Sequence, residues 1–227
     1  GVTPNIYRLT GFQKFKSIRQ KLAVNGALNM PEGYTALVSL PTGGGKSLIT
    51  QTMAYQKKDG LTITVVPTVS LAMDQVRVAK DNIKVAMESE IACYYSDLSK
   101  EEKRSIIDRI KNRKLRLLFI SPEALIKNEV FKQVIDVAND SGYLRNLIID
   151  EAHIVIEWGN FFRVDYQCLE PWRNNLYEKN SKLKTVLLSA TYEKNTVKIL
   201  QSMFATGDKW IEIRCDALRR EPRFELV

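Results

Sequence analysis

The sequence is poor in the residues that build metal sites and covalent cross-links. Its 227 residues include one histidine, His153, and three cysteines that lie far apart, at Cys93, Cys168 and Cys215. A single histidine excludes multi-histidine metal chemistry, and the lack of any Cys-x-x-Cys pair speaks against a zinc site or a disulfide framework. No apolar run approaches the length of a membrane span, and no signal peptide opens the chain. These absences favour a protein of the reducing cytoplasm with no membrane partner.

Positive charge, by contrast, is in excess. The chain carries 34 basic and 26 acidic residues, which gives a net charge of +8. This balance favours a polyanionic partner without requiring one, because many basic domains bind no nucleic acid. The chain begins with Gly1 and ends on the charged segment 219–223, so we expect it to be part of a longer protein.

Short apolar runs recur along the chain and do not alternate with polar residues. Such runs, rich in Val, Ile and Leu, are typical of strands buried on both faces of a sheet. The predicted strands are residues 34–40, 61–66, 91–94, 115–120, 147–149 and 185–188. The predicted helices are residues 13–28, 46–55, 69–84, 100–112, 131–138, 166–178 and 196–204. This alternation predicts one α/β domain with a doubly wound, mostly parallel sheet.

A glycine-rich loop lies between the first predicted strand and its helix. Consecutive glycines allow the backbone to curl until its N–H groups point inward at phosphates, and the helix N-terminus adds its dipole. Lys46 would reach the β- and γ-phosphates, and the Ser47 hydroxyl would bind Mg²⁺. The residues predicted to bind the nucleotide are Thr42, Gly43, Gly44, Gly45, Lys46 and Ser47. The alternative is an ordinary glycine-rich turn, and Leu40 stands where the strict motif has glycine.

Two acids, Asp150 and Glu151, follow the apolar run 147–149 and are called the acidic box below. Asp150 would hold Mg²⁺, and Glu151 would orient and activate the attacking water. His153, three positions beyond Asp150, would face the same cleft. It would take part in coupling nucleotide hydrolysis to the binding of a partner. The alternatives are a solvated turn or helix cap for the acids and a structural role for the histidine. Ser189 and Thr191 follow another strand, where their hydroxyls could bond the acidic box or the next loop, although such residues are ordinary at strand ends.

Aromatic residues and an arginine follow the acidic box. Trp158, Phe162 and Arg163 could stack on the bases of a single-stranded nucleic acid. The alternative for the two aromatics is core packing, since isolated aromatics more often lie in a core. Gly159 and the flanking polar residues favour an exposed loop.

Taken in order, these motifs resemble the first RecA-like domain of a RecQ-type superfamily-two DNA helicase. The resemblance covers nearly the whole chain and rests on the segments 41–47, 67–76, 121–123, 150–153, 158–163 and 189–191. It implies a RecA-like P-loop NTPase fold, ATP and Mg²⁺ as cofactors, and an ATP-hydrolysing helicase. DNA would be the partner, as a single-stranded track and a duplex substrate, with movement from 3′ to 5′. It also accounts for Leu40, because such helicases do not need the first glycine.

The resemblance also implies how the chain is divided and which further residues bind ligands. Residues 1–33 would form a helical segment with an adenine-contacting motif, and residues 34–227 the helicase ATP-binding domain. Gln20 is the preferred adenine contact, and the alternative is an ordinary residue of an amphipathic helix. Ser70, Gln75 and the segment 121–123 would contact DNA. The other candidates for the adenine motif are Phe12, Gln13 and Phe15.

The resemblance further implies a second RecA-like domain, for which this chain offers no second set of strands. That domain would supply an arginine finger, which is typically worth about 10³–10⁵ in rate. We therefore expect the chain alone to bind nucleotide weakly, to turn over little and to unwind nothing.

Two residues depart from the RecQ pattern. Asn160 stands where RecQ enzymes usually carry histidine, and Glu157 where they usually carry glutamine. Both lie in the element that resembles the coupler between DNA and ATP hydrolysis, so altered coupling is possible. Two other functions stay open, namely an RNA helicase and a nucleotide-gated DNA-binding subunit of a modification or defence system.

Overall fold

A parallel β-sheet forms the centre of the molecule. The computed structural model describes residues 1–41 and 45–215. Over these two stretches the strands are β1 (Thr35–Ser39), β2 (Leu61–Val65), β3 (Ile91–Tyr94), β4 (Leu117–Ile120), β5 (Leu144–Ile149), β6 (Lys184–Ser189) and β7 (Trp210–Arg214). All neighbouring pairs run parallel, in the order β3-β4-β2-β5-β6-β1-β7. The prediction of a doubly wound α/β fold is confirmed, and the described sheet is parallel throughout.

Helices connect the strands, and their starting points follow local capping chemistry. Within the described stretches they are α1 (Pro4–Thr10), α2 (Ile18–Asn29), α3 (Ser47–Ala54), α4 (Val69–Asn82), α5 (Lys100–Lys111), α6 (Pro122–Lys127), α7 (Glu129–Asp140), α8 (Arg163–Gln167), α9 (Leu169–Lys179) and α10 (Lys194–Phe204). Two short 3₁₀ helices lie at Glu88–Glu90 and Ala152–Ile156. The hydroxyls of Ser17, Thr68 and Ser99 each accept a backbone N–H from the first turn of the following helix.

The two faces of the sheet are buried in separate apolar clusters. In β5, Leu147 and Ile149 join a cluster that includes side chains of α7, α9 and α10, whereas Ile148 joins a cluster with α2 and α3. Alternate residues of a strand point to opposite faces, so a strand that is apolar throughout fits between two helical layers. This burial explains why the strands of this chain are recognisable as continuous apolar runs.

Three parts of the chain differ from the predicted elements. The predicted helix 13–28 is wrong at its start, because α2 begins only after its cap, Ser17. A separate short helix, α1, capped by Thr3, precedes it. The helices α6 and α8 and the strand β7 were not expected. The residues of β7 are half-buried or exposed and none is fully buried, as is expected of a strand at the edge of the sheet. No helix in the described part of the chain is long and apolar enough to cross a membrane.

The strand order decides where the polar motifs meet. β6 lies between β1 and β5, with Ser39 paired to Ser189 and Ile149 paired to Leu187. The strands are parallel, so their carboxyl ends, and the loops that follow them, lie at one edge of the sheet. Ligands of doubly wound folds bind at this edge.

Candidate nucleotide and nucleic-acid site

The glycine-rich loop before α3, called the phosphate loop below, ends at Gly45. No other residue could replace this glycine without strain. Gly45 has a φ of +79°, in the left-handed region, and a Cβ there would lie 2.3 Å from Nε2 of Gln20. Lys46 follows as the N-cap of α3, which begins at Ser47. The first turn of α3 therefore lies directly beside the loop. The predicted nucleotide contacts Thr42, Gly43 and Gly44 lie outside the described residues.

Gln20 contacts the same loop from α2. Its side-chain amide donates to the backbone oxygen of Gly45 at 3.1 Å, and its Oε1 accepts from the N–H of Lys16 at 2.6 Å. The side chain is only 3% exposed. Of the other candidates for the adenine motif, Phe15 packs against the core cluster of α2 and α3. The structure thus brings Gln20, rather than an arbitrary helix residue, to the phosphate loop.

The acidic box adopts an unusual backbone. Asp150 follows β5 in a turn, and its carboxylate accepts the N–H of Glu151 at 2.9 Å. Glu151 itself is left-handed, with φ 52° and ψ 42°, and the 3₁₀ helix starts just after it. Such a conformation costs a residue other than glycine about 1–3 kcal/mol and is concentrated at functional sites. Tyr166, which is fully buried, donates its hydroxyl to the backbone oxygen of Asp150 at 2.8 Å.

Lys46 joins the loop to the acidic box. Its Nζ lies 2.9 Å from Oδ1 of Asp150 and 2.6 Å from Oε1 of Glu151. Burial lowers the pKa of Lys46, but the two carboxylates outweigh it and raise that pKa overall. Burial raises the pKa of Asp150, although Lys46 acts in the opposite direction. The hydrogen bond from His153, followed by Lys46, lowers the pKa of Glu151 to about 2.

A small cavity opens between the loop and the acidic box. Ser47, Asp150 and Thr64 of β2 are among the residues that line it. Among the described residues, the buried Thr64 hydroxyl has no hydrogen-bond partner. Gln75, predicted to contact DNA, also lines this cavity. Sequence reasoning missed Thr64, because a threonine inside an apolar strand gives no signal of its own.

His153 and the strand-end hydroxyls form one connected group. Nδ1 of His153 lies 3.1 Å from Oγ of Ser189, and Nε2 lies 3.1 Å from Oε2 of Glu151. The Ser189 hydroxyl donates to the backbone oxygen of Thr191 at 2.9 Å, while the residue Thr191 itself is exposed. The hydrogen bond to Glu151 is the main cause of a raised His153 pKa. β6 therefore contributes directly to the arrangement of the acidic box.

The loop after the 3₁₀ helix presents aromatic rings to solvent. Trp158 is 86% exposed, so the core alternative is wrong for this residue. Arg163 stacks over the Trp158 ring, with 3.9 Å from its guanidinium carbon to the ring centroid. Phe162 is half-buried and packs against the main core cluster. Phe161, which sequence reasoning did not select, is 88% exposed and meets Phe162 edge to face.

The remaining predicted nucleic-acid contacts lie near helix starts. Ser70 is exposed in the first turn of α4, one residue beyond its start at Val69. Ser121 is buried, and its hydroxyl caps α6 by accepting the N–H of Ala124 at 3.4 Å. Ser70 is thus accessible to a ligand, whereas the Ser121 side chain has a structural task.

The arrangement described so far brings Lys46, the acids after β5 and an exposed aromatic loop to one edge of the sheet. Comparison with known proteins shows the family to which the chain belongs. The model of the DEAD/DEAH box helicase family matches residues 17–199, which is most of the chain. The chain belongs to the DEAD/DEAH box helicase family.

Relatives with helicase names narrow the class further. The ATP-dependent DNA helicase RecQ of Synechocystis is 32% identical over 165 residues, and the ATP-dependent helicase SGS1 of Saccharomyces cerevisiae is 37% identical over 169 residues. These matches cover 72% and 73% of the chain, so the RecQ-like resemblance is confirmed. The chain spans only 32% and 11% of the lengths of those two proteins.

Solved structures support the fold alone. The DEAD-box helicase Mss116, bound to single-stranded RNA and UDP-BeF, matches 94% of this chain with a TM-score of 0.66 at 18% identity. The helicase domain of Hef from Pyrococcus furiosus matches 94% of it with a TM-score of 0.54 at 17% identity. The chain covers 43% and 38% of those structures, respectively.

Proposed function

We propose that this chain is the ATP-binding domain of an ATP-dependent DNA helicase or translocase of the RecQ type. The observation that carries the proposal is the contact of one lysine, Lys46, with both Asp150 and Glu151. It unites the loop that follows β1 with the acids that follow β5, which is the arrangement needed to hold and cleave a nucleoside triphosphate. Relatives named as DNA helicases support DNA over RNA as the substrate class.

The residues of the cavity suit ATP together with Mg²⁺. Mg²⁺ prefers hard oxygen ligands and keeps several of its waters. Ser47 and Asp150 offer such oxygens, and the unpartnered Thr64 hydroxyl could accept or donate to a bound water. When bound, the metal would neutralise charge on the phosphates.

The chain's own groups then have distinct tasks. Lys46 would turn from the two carboxylates to the terminal phosphates, because a triphosphate carries more charge than either acid. Glu151, released from Lys46 but still bonded to His153, would orient the attacking water. Gln20 would contact the adenine, with the amide that now bonds Gly45. The phosphate-binding roles of Thr42, Gly43 and Gly44 stay predictions.

The aromatic loop suits a single-stranded nucleic acid. Trp158 and Phe161 offer exposed rings, and Arg163 adds a guanidinium plane held against Trp158. Stacking on such rings is worth about 1–3 kcal/mol per base and tolerates any sequence. Ser70 would contact the strand nearby, and Gln75 would act where α4 approaches the phosphates. Movement from 3′ to 5′ is part of the proposal by resemblance.

The proposal includes partners and a location that the resemblance implies. Residues 1–33 would serve as the adenine-binding segment and residues 34–227 as the first RecA-like domain. A second RecA-like domain would close over the nucleotide and supply an arginine finger. Such a motor would work in the cytoplasm.

An ATPase assay on the full-length protein tests this function. Phosphate release is measured without nucleic acid and with single-stranded DNA, double-stranded DNA or RNA. We expect DNA to stimulate hydrolysis and Lys46→Ala to abolish it, while Lys198→Ala, at an exposed lysine of α10, retains it. Stimulation by RNA but not by DNA would contradict the proposed substrate, and full turnover by Lys46→Ala would contradict the site.

A further inference from the structure

The two residues that depart from the RecQ pattern bond to each other and to the single histidine. Oε1 of Glu157 lies 3.3 Å from Nε2 of His153, and Oε2 of Glu157 accepts from Nδ2 of Asn160 at 2.8 Å. Oδ1 of Asn160 in turn accepts the backbone N–H of Phe162 at 2.9 Å. Two hydrogen bonds and one ion-pair contact therefore connect the backbone of the aromatic loop to His153.

The same histidine contacts the acidic box, so the path does not end there. Nε2 of His153 lies between Oε2 of Glu151 at 3.1 Å and Oε1 of Glu157 at 3.3 Å. One ring nitrogen thus lies within ion-pair distance of two carboxylates, one from the acidic box and one from Glu157 before the aromatic loop. Any movement of Glu157 away from the ring therefore changes the hydrogen bond that remains for Glu151.

The contacts of the two ring nitrogens favour one protonation state of the ring. Nε2 faces two carboxylates, which only accept. Nδ1 faces the Ser189 hydroxyl, whose proton is directed at the backbone oxygen of Thr191. These contacts suit a ring in which both nitrogens donate, so that an imidazolium would bridge two negative charges. A neutral glutamine at position 157 could supply the contact but not the second charge.

The charges around His153 are consistent with this state. Glu151 and Glu157 raise its pKa, whereas burial and Lys46 lower it. From α8, Arg163 is directed at Trp158 and at the backbone oxygen of Val155. From β6 the contact is the neutral hydroxyl of Ser189, and the side chains of α10 in the adjoining core cluster are apolar.

We infer that Glu157 is a positioning residue that, with Asn160, transmits the conformation of the aromatic loop through a charged His153 to Glu151. The inference rests on the proposed function, because it assigns the loop to nucleic acid and Glu151 to the attacking water. Asn160 holds the loop and Glu157 together, so a strand that draws Phe162 outward would withdraw the Glu157 carboxylate from the ring. Glu151 would then keep the imidazolium N–H alone.

The single histidine makes this contact directly observable by NMR. The chain has one histidine, so its Cε1–H signal needs no assignment. The signal is titrated with pH in the 227-residue chain labelled at histidine, for wild type and Glu157→Gln. Glu101→Gln, at an exposed carboxylate of α5, is the matched control. We expect Glu157→Gln to lower the pKa of His153 and Glu101→Gln to leave it in place; an unchanged pKa in Glu157→Gln overturns the inference.

A second measurement tests transmission from the loop. An oligonucleotide of thymidines is added, and its binding is followed by fluorescence anisotropy while the His153 signal is recorded. We expect binding to shift the signal in wild type and to shift it less in Asn160→Ala, in which the side-chain path is cut. A bound oligonucleotide that leaves the wild-type signal in place would overturn transmission. An oligonucleotide that does not bind would refute the proposed function, and the pH titration would still decide whether Glu157 acts on His153.

Discussion

Replacing Gly45 by alanine should destabilise the domain through two separable effects. The left-handed backbone at Gly45 costs a residue with a Cβ about 1–2 kcal/mol. The new Cβ would also lie 2.3 Å from Nε2 and 3.0 Å from Cδ of Gln20. Gln20 is 3% exposed and bonded to Lys16, so it cannot simply swing aside. Overpacking of this kind costs a further 1–3 kcal/mol or so.

Gly142 provides a control that isolates the second effect. Its φ is +78°, against +79° at Gly45, and a Cβ there would meet nothing within 4 Å. Gly142→Ala should therefore lose only the backbone contribution. The difference of about 1–3 kcal/mol corresponds to roughly 2–12 °C in melting temperature for a chain of this size.

Urea unfolding of the two variants measures that difference. Repeating Gly45→Ala in a Gln20→Ala background should reduce its additional cost towards that of Gly142→Ala, because the crowded partner has gone. Equal losses for Gly45→Ala and Gly142→Ala in the wild-type background would refute the reasoning. They would mean that Gln20 yields freely and does not confine the phosphate loop.

Three further predictions concern the aromatic loop and the acidic box. Trp158→Ala should weaken binding of single-stranded DNA by about 1–3 kcal/mol in an anisotropy titration, and unchanged affinity would contradict a stacking role. Tyr166→Phe removes the hydroxyl that donates to the backbone oxygen of Asp150, so the free energy of unfolding in urea should fall by about 1 kcal/mol. An unchanged free energy of unfolding would mean that this hydrogen bond is unimportant. The pair of Glu151, with its pKa lowered from 4.5 to about 2, and His153, with its pKa raised above 6.5, should contribute stability that fades towards both acid and base. Thermal unfolding across pH should show the largest difference in melting temperature between Glu151→Gln and wild type at about pH 4.5 to 6.5. A difference in melting temperature that does not depend on pH would contradict the pairing.

The sign of that pH dependence follows from the directions in which the pKa values of Glu151 and His153 are shifted. The lowered pKa of Glu151 gives stability that is present above its unfolded value and lost as the pH falls towards 2. The raised pKa of His153 gives stability that is complete below 6.5 and lost as the pH rises through the folded value. Both contributions are present together only in the window between the two unfolded values.

Local chemistry made much of this fold predictable. The capping box of Ser99 and Glu102 is contained within four residues, and both of its hydrogen bonds form at 3.1 Å. Buried strands such as β5 were recognisable because apolar residues are needed on both faces. The edge strand β7 was not, since it is covered less and carries polar residues such as Glu212.

Contacts that depend on the order of the strands could not be predicted in the same way. The sequence indicated that Lys46 and the acidic box belong to one site, because loops after parallel strands share an edge. It did not indicate that Glu157 and Glu151 would meet at the same ring nitrogen of His153. That contact requires the left-handed backbone of Glu151 and the 3₁₀ helix after it, neither of which has a pattern in the residues alone.

The position of β6 between β1 and β5 also sets a width for the nucleotide site. Neighbouring strands are about 4.8 Å apart, so the phosphate loop and the acidic box start from strands roughly 10 Å apart. Adjacent strands would leave half that distance, too little for a phosphate chain with a hydrated cation between the two sides. The intervening strand acts as a spacer of fixed size, and a side chain as long as that of Lys46 is needed to reach across it.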